Sequence, residues 1–330
     1  MNRRGFCILS LAAGALLLTG HTPYRQWYVY RKKRLIIVAS EVDETSLRLG
    51  EMIAHTLATH LPESKAMMAT TASSLDIVKL LKSEQLDVAV LPSDEAYQAL
   101  RGTGRFSGWG VPLRTLAVFE PSLLHLVTLA GNGIQELADL KGKTVDTGIP
   151  GSRTEAMFLR VLEASGIDPE RDLRRESLPL STTTVALKEK RVDAFGWVDT
   201  VPSAAIRDLV ATPELRIKLL DHGEVLPAIE AMHGPIYHIR TIPGGTYPGV
   251  VGDVRVAAIA HLLVCRDDLS NEKGYQISKT LAEHGNAVTL AGFHLRASPS
   301  PPDGSPLAFH PGALQFYEGP PFPLGGERSR

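Results

Sequence analysis

Two long apolar runs, Leu113 to Leu129 and Val254 to Arg266, interrupt a chain otherwise patterned in short strands and amphipathic helices. Runs of this length without helical periodicity read as extended strands covered on both faces. Ahead of the first, Leu35 to Ala39 predicts a strand. Glu44 to Leu61 predicts a helix with Leu49, Met52, Ile53, Leu57 and Leu61 on one face. Ser74 to Leu100 reads helix, strand, helix, with Leu75, Val78, Leu80 and Leu81 packed, Val88 to Leu91 buried, and Ser93 or Asp94 capping the second helix. The same arrangement returns later: Leu187-Lys188, Asp193 and the strand Ala194 to Val198 repeat Leu81-Lys82, Asp87 and their strand, and Pro202 opens another helix near its first position. The expected fold class is therefore α/β in two similar lobes, with the two long runs as crossover hinge strands. Strand-to-helix loops would face each other across a cleft, where open α/β sheets bind ligands.

One such loop has the chemistry of an anion cradle. A strand at Thr144 to Asp146 feeds a turn at Gly148, Pro150 and Gly151, and a helix comes next. Ser152 and Glu155 have capping-box spacing, so Ser152 is the expected N-cap and Glu155 should bond back to its amide. Met157, Phe158, Val161, Leu162 and Ser165 share the inner face, and Gly166 supplies the left-handed stop. The first-turn amides, the Ser152 and Thr154 hydroxyls and the Arg153 guanidinium would then point outward from the positive end of the helix dipole, where a carboxylate binds. A plain, well-capped strand-turn-helix accounts for the same residues. Ser93 and Asp94 can likewise be caps, ligand contacts or both. Trp197 reads as a core aromatic or a ligand wall, and Asp199 as a partner for an amino group or the residue before a helix. Pro243, Gly244, Gly245, Pro248 and Gly249 mark a rigid turn.

Charge narrows the function classes. Across 330 residues, 35 Lys and Arg stand against 36 Asp and Glu, which excludes the basic stripe of a nucleic-acid binder. Cys7 and Cys265 are the two cysteines. Cys7 falls in the leader, so no internal disulfide is expected, and Cys265 reads as core. No G-x-S-x-G, H-E-x-x-H, Walker or dinucleotide fingerprint occurs, and His233 and His238 are too far apart for one helix face, so neither an enzyme nor a metal site is expected. Met1 to Arg4 followed by the apolar Gly5 to Leu18 has the order of a secretory signal, and Arg3-Arg4-Gly5-Phe6 is weakly similar to a twin-arginine signal. Leu18 makes a poor cleavage site. Tyr24, Trp27, Tyr28 and Tyr30, followed by Arg31 to Arg34, suit a membrane interface, whereas five basic residues after the apolar run against two before it oppose an N-in anchor. Residues 1–34 are thus expected to direct export to the periplasm, either cleaved or retained as an inner-membrane anchor.

Four segments together resemble the TAXI solute receptors of tripartite ATP-independent periplasmic (TRAP) transporters. They are Pro92-Ser93-Asp94-Glu95-Ala96-Tyr97, Pro150-Gly151-Ser152-Arg153-Thr154, Ile242-Pro243-Gly244-Gly245-Thr246-Tyr247-Pro248-Gly249, and His310-Pro311-Gly312-Ala313 with Phe316-Tyr317 beyond. They lie in the family's order between about Leu35 and Gly319. The chain departs from the pattern twice: Ala39 to Thr45 replaces a glycine-rich loop, and Arg153 stands where the family commonly has glycine. The resemblance implies a type II periplasmic binding protein, with lobe I over 35–122 and 243–319, lobe II over 123–242 and a disordered tail at 320–330. It implies a receptor that binds a small organic anion or amino acid, glutamate-like, delivers it to the TRAP permease and uses no cofactor. The ligand-binding residues expected are Ser40, Thr45, Ser73, Ser93, Asp94, Gly151, Ser152, Arg153, Thr154, Trp197 and Asp199. Glu41, Asp43 and Glu44 would either face the cleft and select a cationic group or form an acidic first helical turn. The competing reading is an anchored periplasmic sensor or scaffold without a transport role.

Overall fold

The computed structural model describes residues 34–41, 43–285, 289–290, 293–294 and 305–319. Residues 1–33, most of the Pro- and Ser-dense stretch 298–306, expected from its composition to be a loop, and the residues from 320 lie outside them, and no helix of the described residues is long and apolar enough to cross a membrane. The first lobe opens with β1 (Ile36–Ser40), α1 (Glu44–His60), β2 (Met67–Thr71), α2 (Ser74–Lys82), β3 (Val88–Pro92) and α3 (Ser93–Arg101). The chain leaves it along β4 (Leu113–Leu129). The second lobe holds β5 (Thr144–Asp146), α4 (Arg153–Ala164), β6 (Arg174–Glu176), α5 (Leu180–Lys188), β7 (Ala194–Asp199), α6 (Ala204–Val210), β8 (Ile217–Leu219), α7 (Leu226–His233) and β9 (His238–Ile242). The return runs along β10 (Val254–Arg266) into α8 (Asn271–His284), the short strands β11 (Thr289–Leu290) and β12 (Phe293–His294), and α9 (Pro311–Glu318).

Both expected crossover strands form over their full apolar runs. They pair antiparallel at the centre of a sheet ordered β2-β1-β3-β10-β4-β7-β5-β6, with parallel strands on either flank. Side-chain alternation then divides the interior into four clusters, one on each face of each lobe. In lobe I, Ile37, Ala39, Val88 and Val90 pack toward α1, while Val38, Ala89 and Leu91 pack with Ile77, Leu81 and Ala96 on the other face. Strand β10 serves all four. Val256 and Ala258, then Ala257 and Ile259, fill the two faces of lobe II; Ala260 and Leu262, then Leu263 and Cys265, fill those of lobe I. This dual burial explains why neither run shows a polar alternation.

The lobe boundary expected at 242/243 falls inside a core. Ile242, Tyr247, Val250, Val254 and Val256 pack with Leu123, Val127 and Phe195, so the chain re-enters lobe I between Ile259 and Ala260. The Pro243 to Gly249 turn, with Gly245 and Gly249 at positive φ, drives Tyr247 inward. There its hydroxyl accepts from the Ser203 amide at 2.7 Å and meets His125 Nε2 at 2.9 Å. Helix α6 begins at Ala204, so Pro202 precedes its Ser203 N-cap instead of occupying the first turn.

The His310 to Ala313 segment is a packing device. His310 caps α9 by accepting from the Gly312 amide and reaches the Leu269 carbonyl with its other nitrogen. Gly312 lets α9 meet α8 at backbone distance: a Cβ there would lie 2.1 Å from the Asn271 carbonyl oxygen. Gly312→Ala should therefore lower the unfolding free energy in urea by about 1–3 kcal/mol, the usual range for an overpacked site, and an unchanged midpoint would contradict this contact.

Candidate functional site

The C-terminal ends of β1 and β3 in lobe I and of β5 in lobe II open onto the gap between the lobes, and each feeds a helix. On the lobe II side, Gly148 and Gly151 turn the chain at positive φ and Ser152 caps α4, accepting from the Glu155 amide at 3.1 Å. The Glu155 carboxylate reaches the Gly151 amide at 2.6 Å, one residue earlier than the expected capping box, and its other oxygen pairs with Arg175. Thr154 turns inward. It is buried, and its hydroxyl accepts from the Val198 amide at 3.2 Å, locking α4 to the end of β7. The expectation that both hydroxyls point outward is thus corrected: Ser152 caps, Thr154 anchors, and Arg153 alone of the three sends its charged group across the gap.

Arg153 meets Asp43. The aspartate is the N-cap of α1, bonded to the Ser46 amide and hydroxyl, and its Oδ2 also takes the Arg153 guanidinium. Burial opposes ionisation of this carboxyl, but Arg153, His261 and Ser46 outweigh it and hold it below the ordinary aspartate range. Seven residues along α4, on the same helical stripe, Arg160 donates to Asp94 at 2.8 Å and to the Tyr237 hydroxyl, with its guanidinium 5.5 Å from the Tyr237 ring centre. Ser93 and Asp94 are not caps: Pro92 holds that position, the Ser93 hydroxyl donates to the Ile236 carbonyl at 2.9 Å, and the Asp94 carboxylate serves Arg160 and the Glu95 amide. Glu41 is exposed and takes a hydrogen bond from Thr70, so of the acidic pair it forms with Asp43 only Asp43 faces the gap. The side chain of Glu44 lies outside the described residues.

Three side chains around this junction keep buried polar atoms without a hydrogen-bond partner: Ser40 Oγ at the end of β1, Glu95 Oε2 on α3, whose other oxygen pairs with Arg105 at 3.3 Å, and both ring nitrogens of His261 on β10. His261 Nε2 lies 3.9 Å from Asp43 Oδ2. A register shift between Ile259 and His261 marks a bulge where β10 passes from one lobe to the other, and such irregularities re-aim side chains. Burial lowers the His261 pKa to about 4, helped by Arg153 and opposed by Asp43 and Asp94. Burial, with Asp94 beside it, raises that of Glu95.

The structure thus gathers Ser40, Ser93, Asp94 and Arg153 of the expected set, brings in Asp43 from the acidic segment that sequence left between cleft and helix start, and adds Glu95, Arg160, Tyr237 and His261, which sequence reasoning did not select. Arg160 could have been found by its heptad spacing from Arg153. His261, one of 11 scattered histidines inside an apolar run, carries no such signal. Gly151 is exposed at the turn and Thr45 is half-buried in the first turn of α1. Ser73 is the N-cap of α2, bonded to Asp76. Trp197 and Asp199 bond each other at 3.3 Å, and Asp199 also takes the Ser203 hydroxyl, so their polar atoms are engaged within lobe II. Among the described residues no group of three or more potential metal ligands occurs.

Two α/β lobes joined by two crossover strands, with helix starts converging on the gap, define the type II periplasmic-binding-protein fold. The chain belongs to the NMT1-like family, whose model matches residues 40–319. Among solved structures it is similar to the periplasmic aliphatic sulphonate binding protein SsuA from Escherichia coli, at 17% identity over 77% of this chain and 72% of that one, with a TM-score of 0.48. It is also similar to PhnD1 from Prochlorococcus marinus, determined with methylphosphonate, at 11% identity over 77% and 84% of the two chains, with a TM-score of 0.47.

The buried histidines set the acid limit of the fold. Burial lowers the pKa of His125, His222 and His261 to about 4 from 6.5. The unfolded chain therefore binds protons that the folded one refuses, and stability, full above about pH 6.5, falls as pH drops toward 4, by up to about 1.4 kcal/mol per pH unit for each group. Glu95, whose carboxyl is raised, offsets part of the loss, and Asp43 begins to weaken the fold only below the ordinary aspartate range. Melting temperature should accordingly drop steeply between pH 6.5 and 4.5; a flat profile would show that these histidines are not buried in solution.

Proposed function

We propose that this protein is an extracytoplasmic solute receptor that binds a small organic anion or an amino acid between its lobes and delivers it to a membrane permease. The observation that carries the reading is the convergence of helix starts from both lobes on Arg153, at the open end of α4. The first amides of α4 lack intrahelical partners, as at any helix start, and with the guanidinium they form a cationic end suited to a carboxylate. Ser40, His261 and Glu95 supply unpartnered polar atoms on the lobe I side for the rest of the solute. A ligand that contacts both lobes stabilises the closed arrangement over the open one. The protein acts by binding alone, with export by the leader and no cofactor.

The four TAXI-like segments support a permease of the TRAP type, because each has a definite place in the receptor. Pro92 to Tyr97 starts α3 at the gap, Pro150 to Thr154 presents Arg153, the 243–249 turn seats Tyr247, and His310 caps α9. One observation favours the alternative of a sensor or scaffold that no longer transports: Arg153 already has a carboxylate partner in Asp43.

A thermal-shift series with glutamate, other amino acids, simple carboxylates, sulfonates and phosphonates tests the reading, since a bound solute raises the melting point by mass action. At least one of these should raise it in a saturable way, and Arg153→Ala should weaken that solute about 10- to 100-fold in calorimetry, the loss of a charge-assisted hydrogen bond. No response from any class would favour the sensor or scaffold.

A further inference from the structure

We propose that the two lobes close on themselves without a ligand, latched by the ion pairs Asp43 to Arg153 and Asp94 to Arg160. Both carboxylates come from lobe I, one at the start of α1 and one at the start of α3; both guanidiniums come from one stripe of α4 in lobe II. The side chains are largely withdrawn from water, at 17% and 11% exposure in the first pair and 17% and 8% in the second. A cation at that depth without a partner would be strongly unfavourable, and for Arg153, at the positive end of its own helix, more so. The closed arrangement is therefore accessible because each lobe brings the charge that the other needs.

Uncharged contacts complete the latch. Ser93 reaches the Ile236 carbonyl, and Tyr97 of α3 lies against Gly234 so closely that a Cβ there would fall 2.6 Å from its ring. Tyr97 is packed against the apolar clusters of both lobes. Ser40 Oγ, Glu95 Oε2 and the His261 ring nitrogens stay without hydrogen-bond partners, His261 Nε2 lying 3.9 Å from the latch carboxylate of Asp43. Arg153 faces Asp43, Glu95, Asp94 and Tyr237, and both Arg153 and Arg160 have a carboxylate of their own. An incoming anion must displace Asp43 from Arg153, which makes opening of the latch the first event in binding. The latch is a property of the empty protein and is independent of which solute is bound.

The test measures interlobe distance in extensively dialysed full-length protein by double electron–electron resonance. Spin labels at Glu51→Cys on α1 and Ala228→Cys on α7, both exposed positions, are placed in a Cys7→Ser background, and Cys265 is buried. The unliganded protein should give one short distance, and Asp43→Asn with Asp94→Asn should shift the distribution to longer distances by several ångströms. Asparagine remains a good N-cap, so α1 should survive the change. If that variant fails to fold, Arg153→Gln with Arg160→Gln breaks the same pairs from the other lobe. Distributions that coincide in the parent and the folded variant, whether both long or both short, would overturn the proposal.

Discussion

The antiparallel pairing of β4 with β10 is the constraint on which the rest of this structure depends. Each strand belongs to both lobes, so each must be apolar on both faces along its length and must change partners midway. The change is local: β10 faces β9 up to Ala258 and β3 from His261, and β4 faces β10 up to Leu123 and β7 from there on. With these strands fixed, the parallel strands on each flank point their C-terminal ends at one gap, and the helices that follow begin there. The site is thus assembled from helix starts that are far apart in sequence and adjacent because two strands cross.

Helix starts bring a particular electrostatics. Their unpaired amides favour anions, and the chain supplies anions of its own, Asp43 as the cap of α1 and Asp94 in the first turn of α3. Arg153 sits at the start of α4, where the dipole disfavours a cation, so its position is explained by the carboxylate opposite and not by its own helix. His261 adds the contrary case, a titratable ring held neutral among charges that are already matched. The junction consequently combines paired charges with buried hydrogen-bonding atoms that have no partner.

How much of this is legible in the sequence depends on whether the signal is local. The crossover strands, α1, the buried β3 and the cap at Ser152 are readable because periodicity and capping are properties of short stretches. The lobe boundary is not, because the sequence marks 243–249 only as a rigid turn, without saying which lobe it joins, and the burial of Tyr247 shows that it belongs to lobe II. The hydroxyls of Thr154 and Ser93 escape sequence reasoning for a related reason: each bonds a backbone group of a segment more than 40 residues away, Val198 in one case and Ile236 in the other. No spacing rule along the chain predicts such partners.

The two departures from the TAXI pattern illustrate the same point most directly. Along the sequence, an acidic segment at 40–45 adds negative charge beside a site for acidic solutes, and an arginine at 153 adds positive charge that could offset part of it, with nothing to show which acid it meets. In the fold they are a single feature, because Asp43 and Arg153 lie 110 residues apart in sequence and share one hydrogen bond across the gap. Either substitution alone would leave a charge largely withdrawn from water with nothing to balance it, at a cost that buried ions rarely bear. Together they leave the junction neutral and couple the position of one lobe to the other.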